Sequence, residues 1–459
     1  TAQLIASDQW NDLPARLQAS QLKFDGVSLD ALVDLLARRK IGLTGKATGN
    51  VLVNFASPSG LASTSGLGRV IPDTTIDLEL SQLKYRAQPL SRKLRLAGRI
   101  ENDVLRIQSL RGDYADGSLS LHGLIYLVDG DRRIHPRFDT RLVASRVDLN
   151  RGLWFLGDTA DQFLGRASGK ATVTGHTESI RVRGNVDGRD LDIYGLPASN
   201  AHSALVATAN FQSSKWSVNF PSVRSRVGGG QLEGGLLLSS GRSGGVDITS
   251  HWKTRRMDFV QLTDQLGRSS SLASGEISGE ISLRGKSVQS IDDLSGRFDF
   301  QLGDTRGAAV PGLLAASRFL GPISLANQSF DVGEAKGILG QGVVVLDEFW
   351  LGSDNALVQA DGKVYLRSGR LDLNALIATG DYRDIAANFT QLAQQYALRS
   401  LLPASAILSV SELLRDRTLV VAVMGSTQSP IVRLRPVETF REETARFLLR
   451  EGQRLDGGF

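Results

Sequence analysis

Five histidines, His122, His135, His176, His202 and His251, are the residues from which a zinc site or a nucleophile–base pair would have to be built. None of them forms a His-x-x-x-His or His-Glu-x-x-His spacing, and such chemistry needs two or more partners presented together. The 459 residues include no cysteine, which excludes thiolate ligands, disulfides and cysteine nucleophiles. The glycine-rich stretch from Gly60 to Gly68 invites a phosphate-loop reading. It lacks the Gly-Lys-Ser/Thr ending and runs into Pro72-Asp73 rather than a helical pattern, so it reads as a loop, as does Ser239 to Gly245. The sequence therefore predicts no catalytic, cofactor-binding or metal-binding residue, and no enzyme.

Charge excludes another class. Lys and Arg total 53 against 48 Asp and Glu, a formal +5, too thin an excess for a nucleic-acid binder of this length. The clusters Arg38-Arg39-Lys40, Arg132-Arg133 and Arg255-Arg256 lie among acidic residues without an aromatic ladder. They read as solvated rims, with contact to anionic lipid headgroups as the second reading. Trp10, Trp154, Trp216, Trp252 and Trp350 read as packing residues.

What remains is pattern. Glycine is abundant (49 residues, against 12 Pro) without the collagen period, and it separates short alternating segments, the signature of strands joined by turns. Three segments align without gaps. Val27-Ser28-Leu29, Val147-Asp148-Leu149 and Met257-Asp258-Phe259 are each followed, eighteen residues after the first position, by Gly45-Lys46-Ala47-Thr48-Gly49, Gly165-Arg166-Ala167-Ser168-Gly169 and Gly275-Glu276-Ile277-Ser278-Gly279. The copies are offset by 120 and 110 residues, so the chain is built on an internal repeat. Within the gap the spacing is helical, as in Leu29, Leu32, Val33 and Leu36, or Phe259, Leu262 and Leu266. After the glycine pair the period becomes two, as in Leu78 to Tyr85, Leu94 to Ile100 and Val104 to Ile107.

This predicts a mainly β protein: a long, curled, repetitive antiparallel sheet whose apolar face forms a groove, with short amphipathic helices and a helical C-terminal cap. About six strands per repeat give roughly 25 in all, about 120 Å of sheet at the usual strand spacing. A two-layer sandwich is the other way to bury the apolar face. A transmembrane barrel is disfavoured, because aromatic residues are only 6% and helical stretches interrupt the strand series. The predicted blocks are 1–145, 146–255, 256–338 and 339–459.

The last block is the densest in signal. Gly342 to Ser353, Gly362 to Leu373 and the strand Leu419 to Met424 alternate between tight glycine turns. Ile385, Phe389, Leu392 and Tyr396, then Phe440, Phe447, Leu448 and Leu455 after Pro436, predict helices near 385–400 and 437–450. Together with Gly425-Ser426-Thr427 and Pro430 to Leu434, these phrases resemble the C-terminal portion of AsmA-like proteins, the group of the TamB and YhdP type of envelope protein, related to the bridge-like lipid-transfer proteins. The Gly-x-x-x-Gly openings are similar to the repeating modules of the same group.

The resemblance implies phospholipid transport or shielding between inner and outer membrane, in support of outer-membrane biogenesis, in the periplasm of a diderm bacterium. It also implies partners that are phospholipid acyl chains and the two membranes or their proteins. Because the sequence opens on Thr1 and has no uninterrupted apolar run near 18 residues, an inner-membrane anchor is expected upstream of it. The groove candidates are the apolar alternates Leu94, Leu96, Val182, Phe298, Phe300, Val343, Val345, Val364 and Leu366. The competing reading is a structural or adhesive β-repeat protein of the cell envelope whose own side chains fill its core.

Overall fold

The computed structural model describes residues 19–29, 43–54, 73–85, 88–128, 134–153, 160–161, 163–193, 196–210, 212–241, 245–265, 275–306, 329–379, 418–427 and 429–435. It is mainly β: a 21-stranded antiparallel sheet, open, with two short helices. Two compact units divide the chain, Thr1–Ser225 and Arg226–Phe459.

In the first unit the strands are β1 (Ala19–Ser28), β2 (Leu43–Asn54), β3 (Asp73–Tyr85), β4 (Gln88–Glu101), β5 (Val104–Tyr114), β6 (Gly117–Val128), β7 (Ile134–Asp148), β8 (Phe163–His176), β9 (Ser179–Ile193) and β10 (Leu196–Asn210). From β1 to β10 each strand pairs antiparallel with the next in sequence. β11 (Lys215–Val227) runs across the division between the units. The second unit continues with β12 (Gly230–Ser240), β13 (Val246–Asp258), β14 (Glu276–Val288), β15 (Leu294–Arg306), β16 (Ser329–Gly340), β17 (Val343–Gly352), β18 (Ala356–Tyr365), β19 (Arg370–Thr379), β20 (Thr418–Ser426) and β21 (Pro430–Leu434), again each paired with its successor. Sequence-adjacent pairing throughout follows from the short turns, which let a hairpin close without a crossover.

Turn chemistry sets several of these hairpins. Asn102-Asp103, Ala115-Asp116 and Gln341-Gly342 all hold positive φ at both positions, the two-residue turn whose twist matches that of the flanking strands. The repeat motif has a structural counterpart at the ends of β1, β7 and β13. In each, the register slips by one residue just before the apolar start, between Phe24 and Val27, Ala144 and Val147, and Thr254 and Met257. Six strands separate successive copies, as the spacing predicts.

Two short helices are described, Leu149–Gly152 and Phe259–Gln265, each beginning on the last residue of a repeat's apolar-polar-apolar start. Asp148 caps the first, its carboxylate accepting from the Arg151 N–H at 3.1 Å. Of the expected helix near 28–37 only its first residues lie within the described part. Those near 385–400 and 437–450 lie outside the described residues, as do the glycine-rich stretch at 60–68, Trp10, Trp154 and the basic clusters at 38–40 and 132–133. No helix among the described residues is long and apolar enough to cross a membrane.

Candidate functional site

Directly paired residues in an antiparallel sheet put their side chains on one face, so the register can be followed from strand to strand. In the first unit one row reads Phe24, Gly49, Leu78, Leu96, Leu110, Leu121, Leu142, Ala171, Gly184 and Leu205. A second row on the same face reads Leu22, Val51, Ile76, Gly98, Ile107, Gly123, Thr140, Val173, Val182 and Ala207. Neither row contains a charged side chain across its ten strands. The opposite face carries the charges, among them Asp77 with Arg95 at 3.1 Å and Glu79 with Lys93 at 2.8 Å.

The uncharged face is not covered as a sandwich core would be. Leu78, Leu96, Leu110, Leu121, Leu142 and Leu205 are all half-buried rather than buried, and Leu22 is exposed. A second sheet packed about 10 Å away would have removed these leucines from water. Glycine recurs on this face because neighbouring atoms lie over it: a Cβ on Gly184 would stand 2.1 Å from the Lys170 carbonyl oxygen, and one on Gly112 would stand 2.6 Å from Leu94 Cδ2.

The second unit repeats the pattern and then changes it. Gly234, Trp252, Ile281, Phe298, Gly337, Leu346, Gly362, Leu373, Val423 and Val432 form one uncharged row. Phe298 and Phe300 are half-buried neighbours with ring centroids 5.7 Å apart. Toward β18, β19 and β20 the face closes into a core: Phe330, Leu351, Val358, Ile377 and Val421 are buried together. The reverse side of the same strands is buried too, at Leu357, Leu376 and Val420. That end is packed protein on both faces, unlike β3 to β10.

The predicted groove residues divide accordingly. Leu94, Leu96, Val182, Phe298 and Phe300 lie on the uncharged face and are half-buried, with Leu94 packed against the small cluster of Leu29, Ala47 and Leu83. Val364 lies on this face but packs against the closed core. Val343 and Val345 do not belong to the row. They pair with Tyr365 and Lys363, whereas Val344 and Leu346 pair with Val364 and Gly362 on the uncharged face. Leu366 follows β18 in the turn, where its N–H donates to the Gly342 carbonyl at 2.9 Å, and is exposed. Leu110, Leu121, Leu142 and Trp252 belong to the rows without having been singled out by sequence, although their period-two spacing carries the same signal.

The charged face holds conventional pairs. Lys253 bonds Glu280 at 2.8 Å and thereby holds that carboxyl below its usual range. Glu334, bonded to Lys336 at 2.6 Å, holds the ammonium above its usual value against a smaller opposing effect of burial. His202 meets Asp187 at 2.6 Å, His251 meets Ser282 at 2.8 Å, and the rings of His135 and His176 lie 5.2 Å apart. Among the described residues no three His, Asp or Glu side chains converge as metal ligands.

Comparison of the chain with family models, with curated proteins and with solved structures returns no match.

Proposed function

We propose that the uncharged face carries or shields phospholipid acyl chains, in the envelope of a diderm bacterium between inner and outer membrane, without catalysis. The observation that supports this reading is the pair of rows from β1 to β10, which run through ten strands without a charge and leave large apolar side chains half exposed. Water on such a surface is costly. An acyl chain laid along it would recover about 0.8 kcal/mol per buried methylene, enough to hold a lipid with no directed bond and to let it slide between equivalent positions. The interleaved glycines fit a sheet bent toward this face, where side-chain volume must be small. The periplasmic setting and the upstream anchor rest on the AsmA-like rhythm of the sequence.

The test is extraction of the purified protein followed by lipid analysis, on the wild type and on Val182→Asp. Val182 pairs with Val173 and Ala207 and is only half-buried, so an aspartate there can reach water and the fold should survive. Co-purifying phospholipid that is lost in the variant at an unchanged thermal midpoint supports the reading. A wild type that never carries lipid, or a variant that unfolds, returns the protein to the structural β-repeat class.

A further inference from the structure

The face of β5 to β9 opposite the uncharged rows is strongly basic. Arg106, Arg111, Arg141, Lys170, Arg181 and Arg183 all lie on it and all are exposed. None of the six forms an ion pair with a described residue. The carboxylates nearby are already engaged or too few. Arg106 stands directly opposite Arg99 and Arg111 opposite Arg95, yet Glu101 binds Arg99 and Asp77 binds Arg95. Asp113 is turned onto the β4 backbone, and Asp187 holds His202, which leaves Asp139.

Like charges directly across a strand pair destabilise it, and an anion lying between Arg106 and Arg99 or between Arg111 and Arg95 would relieve this. On the charged face of the second unit Lys253 and Lys336, by contrast, each bond a carboxylate of a neighbouring strand or of their own.

We propose that this face docks on an anionic phospholipid bilayer. The cations are spread in two dimensions over four of these five strands, with Thr172 in register between Arg141 and Arg183 and with Ser120 and Thr174 beside Arg111 and Arg181, a layout that matches a plane of phosphates rather than a single polyanionic strand. Base stacking has little to work with: the aromatic ring on this face, Tyr126, is covered by the Arg137 guanidinium 5.4 Å from its centroid. The docking is independent of what the uncharged face carries.

The experiment is flotation of the full chain with phosphatidylcholine vesicles with and without phosphatidylglycerol. The expected result is binding only to the phosphatidylglycerol vesicles, falling steeply with added salt. The combined Arg106→Gln, Arg141→Gln, Arg183→Gln variant should partition about tenfold or more weakly at an unchanged thermal midpoint. Val182→Asp and Lys253→Gln should float as the wild type does, which separates this surface from the lipid-carrying one. Equal binding to both vesicle types, undiminished binding of the triple variant, or tighter binding to duplex DNA than to vesicles at equal phosphate would each overturn the proposal.

Discussion

The backbone N–H of Arg146 donates to the hydroxyl of Ser168 at 2.9 Å, across the register slip that ends β7. The same bond joins Gly26 to Thr48 at 3.1 Å and Arg256 to Ser278 at 2.9 Å. In each copy the donor is a left-handed residue, with φ of 61° at Gly26, 54° at Arg146 and 50° at Arg256. The acceptor is the fourth residue of the five-residue glycine motif, so the hydroxyl that recurs there is explained by the bulge it satisfies. The first glycine of each motif has positive φ (152°, 104° and 111°), a conformation that a side chain would strain.

Ser168→Ala should therefore cost about 0.5–1.5 kcal/mol in urea unfolding of the full chain, the net worth of one bond at a partly solvated site. Ser168→Thr, the residue used at position 48, should cost less. Ser120→Ala, on the same face with no such bond, should stay within about 0.5 kcal/mol. Equal losses at 120 and 168 would remove the hydroxyl's role in holding the bulge.

Asp113 gives the chain a defined acid sensitivity. Burial alone would raise its carboxyl, but bonds from the Arg92 N–H at 2.8 Å, the Lys93 N–H at 2.7 Å and the Ser91 hydroxyl at 3.1 Å outweigh burial and leave it below the usual range. A carboxyl depressed in the folded state stabilises the protein above its unfolded-state pKa of about 3.9 and loses that contribution as pH falls through the folded value. Asp113→Asn should lower stability at pH 7 and flatten the decline below about pH 4. A thermal midpoint profile that keeps the wild-type slope in this variant would assign the acid loss to other groups.

Glycines on the two kinds of site should respond oppositely to alanine. A Cβ on Gly184 would stand 2.1 Å from the Lys170 carbonyl and 2.7 Å from Ala171 Cβ, so Gly184→Ala must push β8 away from β9 and should cost about 1–3 kcal/mol. Nothing lies within 4 Å of a Cβ on Gly340, and Gly340→Ala should be neutral or gain a few tenths from the less flexible unfolded chain. Calorimetry of both variants checks the ordering.

Strands were legible in the sequence where one parity is polar. Leu94 and Leu96 alternate with Lys93 and Arg95, and Phe298 and Phe300 alternate with Arg297, Asp299 and Gln301, so the faces can be assigned without a structure. In β17 the text Val343-Val344-Val345-Leu346 is apolar at both parities, and the slip between Leu346 and Phe349 hides the parity of the residues beyond it. Only the partners decide: Arg297, Ile338, Val345, Lys363 and Asp372 make one row, and Gly296, Leu339, Val344, Val364 and Leu371 the other. The closed core around Ile377 and Val421 was equally hidden, since period two reports an apolar face and not what lies against it.

That register makes Val344 and Val345 a direct test of the face assignment. An aspartate at 344 would stand between Leu339 and Val364, beside the buried cluster, with no cation in its row. It must be protonated or remain an unpaired charge, and a loss of about 2 kcal/mol or more is expected. An aspartate at 345 would stand between Ile338, which is 50% exposed, and Lys363, with Arg297 one strand further on. Its charge reaches both water and two cations, so Val345→Asp should fall within about 0.5 kcal/mol of the wild type and leave any co-purifying lipid unchanged. Thermal unfolding of the two variants side by side measures the difference. Equal destabilisation, or the larger loss at 345, would mean that β17 is paired one residue out of the register described, and the uncharged row through Phe298 would have to be redrawn.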